Sequence, residues 1–265
     1  IYTLMTLGIP NSPRWLFLQN KTEEAKAIIH QAYTKKDADS LIQDISQEQD
    51  VTEENESIFK YKYRFILKLA FLIAFFNQFS GINAFLYYAP RIFEEGGLGE
   101  STALLSSVGI GLINLIFTLI GINLIDRLGR RTLMYIGSFG YIISLSLIAA
   151  SFLLSWEGLA LPIFLFVFIA SHAIGQGAVI WVFISEIYPN HLRSAGQSFG
   201  TSTHWVLAAI IPSLVPVLFA SIGAGVVFAI FAFMMVLQLL FVYFWMPETK
   251  GVSLESLSQQ LIKEK

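Results

Sequence analysis

Hydrophobic positions fall into six long runs along the chain, roughly residues 66–90, 103–125, 132–155, 159–185, 195–220 and 224–246, separated by short polar intervals. Each run has twenty or more residues, enough for a helix rising about 1.5 Å per residue to cross the roughly 30 Å of bilayer hydrocarbon. Inside hydrocarbon the backbone must satisfy its own N–H and C=O groups, so the runs predict helices. The two-residue alternation of a membrane barrel is absent. The expected fold class is therefore an all-α membrane protein with a six-helix bundle over 65–246.

Polar patterning predicts smaller elements on either side. Residues 10–64 read as a polar linker with two amphipathic helices. In the first, Asn20 is a candidate N-cap with Glu23 at the third helical position, and Ala25, Ile28, Ile29, Ala32 and Tyr33 form the apolar face. In the second, DADSLIQDISQEQD, the apolar positions are Leu41, Ile42 and Ile45; a loose acidic linker over 37–58 is the alternative. In the tail, 247–265, Ser253 caps a helix with Leu254, Leu257 and Leu261 on one side. Residues 1–9, IYTLMTLGI, read as the end of a preceding span, so the chain is expected to be the C-terminal part of something longer.

Charge adds orientation. With six spans, both flanks and the loops at 126–131 and 186–194 share one side. Counting Lys68, that side carries 16 of the 17 Lys and Arg residues, and only Arg91 lies opposite. The positive-inside rule makes it cytoplasmic. Composition agrees with a membrane class: 14% of residues are charged, against about 25% in a soluble domain, and mean hydropathy is +0.62. The net charge of −2 gives no reason to expect nucleic acid, and the absence of cysteine excludes disulfides and thiolate metal sites. No Walker sequence, nucleophile elbow or metal-ligand cluster occurs, so neither an enzymatic reaction nor a cofactor is expected.

Candidate chemistry lies in neutral polar residues inside the runs. The first contains FNQFSGINAFLYYAP, with Asn77, Gln78 and Asn83 among apolar residues. An unpaired amide in hydrocarbon costs several kcal/mol as an order of magnitude, so each must face protein, water or ligand. Asn83 and Tyr87 share a helical face, and Gly81 permits a break that turns Gln78 toward them. Gly111, Asn114, Thr118 and Gly121 recur at intervals of 3, 4 and 3, and Thr201, His204 and Ala208 form a similar stripe. Two readings stand beside each other. Amides lining a cavity, with Trp181 and Trp205 near them, suit an uncharged polyol. Amides and small residues also join transmembrane helices to each other, the better account of Asn123 and Gln238. Trp156 and Trp245, at span ends, fit an interfacial belt. Acidic and basic residues flank two short turns, DRLGRR and SEIYPNHLR, where they can pair between helices or anchor to headgroups.

The segments PNSPRWL (10–16), NQFSGINAFLYY (77–88), DRLGRR (126–131), SEIYPNHLRSAG (185–196), THW (203–205) and PETKG (247–251) together resemble the sugar porter family of the major facilitator superfamily, in its C-terminal half. The resemblance implies helices seven to twelve of a twelve-helix transporter, with 17–58 as the intracellular helices joining two halves. It implies a sugar bound between the halves near mid-membrane, and rocking between outward-open and inward-open states. By motif position Gln78, Asn83 and Asn114 would bond sugar hydroxyls and Trp181 would stack near the sugar, with Asn77, Trp205 and His204 in the same site. Tyr87 and Tyr88 would form the extracellular gate. Asp126, Arg127, Arg130, Arg131, Glu186 and Arg193 would form a cytoplasmic salt-bridge clasp.

The chain departs from the family pattern in places. Asn77 replaces a usual glutamine, His204 a usual Asn or Gln, and Asn11 a common glutamate. Ala178 stands where a proline is usual, from which a straighter fourth span is expected. Implied partners are a sugar, the lipid bilayer and an N-terminal six-helix half, with protons as the candidate coupling ion. His172 and His204 either titrate or serve as hydrogen-bonding groups of the bundle. The expected function is secondary sugar transport; the alternatives are a sugar sensor of transporter fold or a non-functional fragment.

Overall fold

The computed structural model describes residues 9–49, 56–97, 99–156 and 160–263. The expected end of a preceding span, at 1–8, and the acidic stretch at 50–55 lie outside the described residues.

Among the described residues three short helices come first: α1 (Pro13–Leu18), α2 (Thr22–Ala32) and α3 (Lys35–Gln49). They bury a cluster of their own, Leu16, Phe17, Ala25, Ile29, Ala38 and Ile45, with Ile28, Leu41 and Ile42 packed against it. Two expectations need correction. Asn20 does not cap α2: Lys21 precedes the helix, and Asn20 has a left-handed backbone, φ 60°, that ends α1. Its N–H donates to Phe17 O at 3.0 Å, so it serves the preceding helix as a terminator. Ala32 and Tyr33 are exposed, because the apolar face of α2 ends one turn earlier.

Six helical spans follow, matching the predicted runs to within a few residues except at the two ends of the first and the start of the fifth. The first is broken into α4 (Arg64–Phe79) and α5 (Ile82–Glu95) at Ser80–Gly81. Gly81 has φ +80°, and a Cβ there would lie 2.6 Å from the Phe231 ring, so only glycine suits the break. A second distortion follows at Tyr88, φ −113° and ψ 16°, two residues before Pro90. Then come α6 (Glu100–Leu128), α7 (Arg130–Leu153), α8 (Ala160–His172), α9 (Ala178–Glu186), α10 (Arg193–Ile222) and α11 (Ala224–Phe244). The tail helix α12 (Leu254–Lys263) is capped by Ser253, whose Oγ accepts from the Ser256 N–H at 3.3 Å, and it buries Leu257 and Leu261.

The fourth span is not a continuous α-helix. Between α8 and α9 the chain makes a π turn over Ala173–Gly177, the sequence AIGQG. Even without the proline the helix is interrupted: it widens by one residue where the Gly175 backbone lies against Gly137 of α7.

α7 packs closely on α11 and α8, and α10 on α4. α6 and α10 are the least buried spans, with 17% and 22% of their most apolar windows inside the bundle against 61% for the first span. The bundle therefore has one-sided faces, and those faces carry much of the candidate chemistry.

Ahead of α4, the Glu56 carboxylate, 6% exposed, accepts from Tyr63 Oη at 2.6 Å and pairs with Lys60 at 3.0 Å, Lys62 at 2.6 Å and His191 Nε2 at 3.4 Å. The Lys62 ammonium, and next the Tyr63 hydroxyl, hold its carboxyl down at about 2, from an ordinary 4.5. This group ties the start of the first span to the turn before α10.

Candidate functional site

Gln78, in the last turn of α4, sits among polar side chains from several elements. Its Nε2 donates to Asn77 Oδ1 at 3.0 Å and lies 3.1 and 3.2 Å from His204 Nδ1 and Nε2 on α10. Its Oε1 accepts from Asn83 Nδ2, across the Gly81 break, at 2.9 Å. Two indoles stand next to His204. The Trp181 ring centroid is 4.8 Å from the imidazole and the Trp205 centroid 5.1 Å, and the two indoles are 42% and 57% exposed. The site therefore joins residues of α4 and α5 to residues of α9 and α10 that lie 98 to 128 positions further along the chain. The group contains no formal charge. It offers amide donors and acceptors beside flat apolar rings, the surface complement of an uncharged hydroxylated molecule.

Tyr87, Tyr88 and Trp205 line one open groove of about 400 Å³ between α5 and α10, with Ala208, Pro212 and Ser213. Asn114 stands apart: it is half-exposed on α6 and makes no hydrogen bond to the Gln78 group among the described residues. Asn123, expected to join helices, instead donates to Leu119 O of its own helix at 2.8 Å and is exposed. Gln238 does join helices, as expected; it is fully buried and bonds Gln176 and Ser138. The Tyr141 hydroxyl bonds His172 Nδ1 beside the π turn.

A second group lies at the other end of the bundle, on the turn-bearing side. Arg130, in the first turn of α7, grips Glu186 at the end of α9 with two bonds, Nε to Oε2 at 3.1 Å and Nη2 to Oε1 at 2.8 Å. Its Nη1 donates to Asp126 Oδ1 and to Ile125 O, each at 3.1 Å. Arg131 donates to the carbonyls of Val242 and Tyr243 at 3.2 and 2.7 Å, holding the end of α11. Arg127 is exposed; its carbonyl accepts from Lys250 Nζ. Arg193 opens α10, half-buried.

Two members of this group escape a motif reading. Glu248 accepts from the backbone N–H groups of Arg130 and Arg131 at 2.9 and 3.0 Å, capping α7 from the tail, and Thr249 Oγ1 donates to Glu186 Oε2 at 2.6 Å. Both belong to the PETKG segment, so the one available signal was an acid next to a hydroxyl in a recognisable tail.

Comparison with known proteins agrees with this architecture. The profile described as "Sugar (and other) transporter" matches residues 1–261. The arabinose-proton symporter of Bacillus subtilis is 35% identical over 99% of this chain and 57% of its own length. The glucose transporter of Staphylococcus epidermidis is 34% identical over 97% and 59%. The D-xylose-proton symporter of Escherichia coli is 30% identical over 97% and 54%. The chain thus spans about half the length of the curated relatives it matches. Among solved structures, a major facilitator superfamily proton:xylose symporter bound to 6-bromo-6-deoxy-D-glucose aligns with TM-score 0.83 at 30% identity, over 97% of this chain and 56% of that one. The inward-open xylose transporter of Escherichia coli aligns with TM-score 0.68 at 28% identity, over 97% and 53%. Six helical spans, a profile that covers nearly the whole chain and half-length matches to transporters rather than enzymes lead to one assignment: the chain belongs to the sugar transporter family of the major facilitator superfamily.

Proposed function

We propose that this chain is the C-terminal six-helix half of a secondary transporter that carries a monosaccharide or similar polyol by alternating access. One observation carries the reading. The uncharged Gln78–Asn83–His204 group meets two part-exposed indoles on a one-sided face of a membrane bundle. A bare cation as cargo would favour carboxylates here, and the two indoles lie against His204 beside the amides rather than alone. The names of the relatives, which include arabinose, xylose and glucose carriers, support the same substrate class, and two of those names support protons as the coupling ion.

In this reading Asn77, Gln78, Asn83, Asn114 and His204 bond sugar hydroxyls and Trp181 and Trp205 cover apolar C–H faces. Tyr87 and Tyr88, bordering the groove, gate the extracellular side. Asp126, Arg127, Arg130, Arg131, Glu186 and Arg193 clasp the cytoplasmic side, with the linker and the tail on that side by the positive-inside rule. The two-pronged Arg130–Glu186 pair supports a closed clasp in this arrangement. The domains follow: a linker with intracellular helices over 10–64, the bundle over 65–246 and the tail over 247–265.

The test is uptake of labelled pentoses and hexoses into proteoliposomes that hold the complete protein carrying this chain, with and without a protonophore. Saturable uptake of one sugar, abolished by Gln78→Ala, is expected, and collapse of accumulation by the protonophore is expected for a symporter. Absence of uptake and of binding for every sugar tried would reject the assignment.

A further inference from the structure

The amides around Gln78 belong to a longer row. Asn83 Nδ2 donates to Gln78 Oε1 at 2.9 Å, Gln78 Nε2 to Asn77 Oδ1 at 3.0 Å, and Asn77 Nδ2 to Gln176 Oε1 at 3.4 Å. Gln176 Nε2 donates to Gln238 Oε1 at 2.5 Å, and Gln238 Nε2 to Ser138 Oγ at 2.8 Å. Every link runs the same way, from the N–H of one side chain to the oxygen of the next. The row starts at half-exposed Asn83 and crosses α5, α4, the π turn and α11 to end on α7. Asn77, Gln78, Gln176, Gln238 and Ser138 are all buried, between 0 and 2% exposed.

A one-way row behaves as a unit. An amide has distinct donor and acceptor ends, so reversing one member would set N–H against N–H on one side and oxygen against oxygen on the other. In a site shielded from water each such mismatch is costly, and aligned bonds polarise one another. Ser138 gives no preference, since a hydroxyl either donates or accepts. Gln78 Nε2 lies 3.1 and 3.2 Å from the two ring nitrogens of His204, and the imidazole tautomer decides how that contact runs.

We propose that Gln176 and Gln238 are positioning residues for the site: by fixing the amide orientation of Asn77 and Gln78 through the row, they decide which atoms of Gln78 and Asn83 a substrate hydroxyl meets. Neither touches the open face. From sequence Gln238 was expected only to join helices. The inference rests on the sugar-binding reading above and deepens it.

A structural role and a positioning role differ in selectivity. The experiment measures binding of a sugar and its series of monodeoxy analogues to the complete purified protein, for wild type, Gln238→Met and Gln238→Glu. In wild type, removal of the hydroxyl that meets Gln78 or Asn83 is expected to weaken binding about tenfold, one hydrogen bond's worth. Gln238→Met breaks the row at nearly constant volume, and the penalty for that same analogue is expected to shrink to under about threefold. Gln238→Glu in its protonated form still accepts from Gln176 and donates to Ser138, and is expected to restore the wild-type ratio. A Gln238→Met protein whose melting temperature falls while the deoxy-analogue ratios stay unchanged overturns the proposal and leaves sugar transport intact. If wild type binds no sugar, the parent reading fails and this one with it. Should Gln238→Met not insert, Gln176→Met breaks the row one link nearer the site and carries the same comparison.

Discussion

The carboxylate of Glu248 occupies the space that a side chain at Gly129 would fill. Gly129 sits at φ +90° between α6 and α7, and with no Cβ it lets Glu248 reach the first N–H groups of α7. A turn residue and a tail acid 119 positions apart thus form one structural unit, in which the glycine both makes the turn and leaves room for the cap.

Gly129→Ala should therefore lose the cap and strain the turn together, for about 2–3 kcal/mol in total. Thermal unfolding of the purified protein checks this. Glu248→Gln, which keeps an acceptor oxygen, should cost clearly less. Equal melting temperatures for Gly129→Ala and wild type would show that the tail is held by something else.

The Arg130–Glu186 pair is two-pronged and mostly shielded, with side chains 11% and 17% exposed. Arg130→Lys keeps the charge but not the fork, and should destabilise by about 1–2 kcal/mol. Glu186→Gln should also shift the protein toward states with this end of the bundle open. Labelling of a cysteine introduced at that end reports the shift, and an unchanged labelling rate would remove the clasp from the mechanism.

Gln78→Ala should weaken sugar binding roughly 10- to 100-fold, since it orphans Asn83, Asn77 and His204 as well as any substrate hydroxyl. Detergent-solubilised protein should keep its size-exclusion profile. Undiminished affinity would identify Gln78 as a link between helices only.

Glu56 gives a pH signature. Its carboxyl sits at about 2 in the folded protein against 4.5 ordinarily, so the folded state prefers it ionised. The stabilisation is complete above about pH 4.5 and is lost as pH falls through about 2. Melting temperature followed downward from pH 5 should decline less steeply in Glu56→Gln than in wild type; parallel curves would show that the cluster contributes nothing to acid sensitivity.

The spans were legible because a bilayer demands a length and a composition, and both are local properties of sequence. The Gly81 break was legible as well, since a glycine amid amides marks where a helix yields. Helix periodicity also found the buried face of His204 and Ala208. It could not find the partnership of Gln176 with Gln238, 62 residues apart, because periodicity relates residues of one helix and says nothing of register between helices. Asn20 was misread because an asparagine that tolerates a left-handed backbone can end one helix as readily as it starts the next. The missing proline suggested a straighter span and gave no sign of the widened turn, which accompanies tight packing of Gly175 on Gly137 of another helix.

That widened turn also sets rotational phase. An α-helix advances about 100° per residue, and a single π turn inserts one residue's worth of rotation into all that follows. Trp181 beside His204 and Glu186 beneath Arg130 both lie downstream of Ala173–Gly177. Their bearings around the helix axis are therefore dictated by one surplus residue. Excising a single amino acid there would swing the indole off the open face and the carboxylate off its guanidinium in the same stroke, making the amide site and the arginine clasp answer to a common dial.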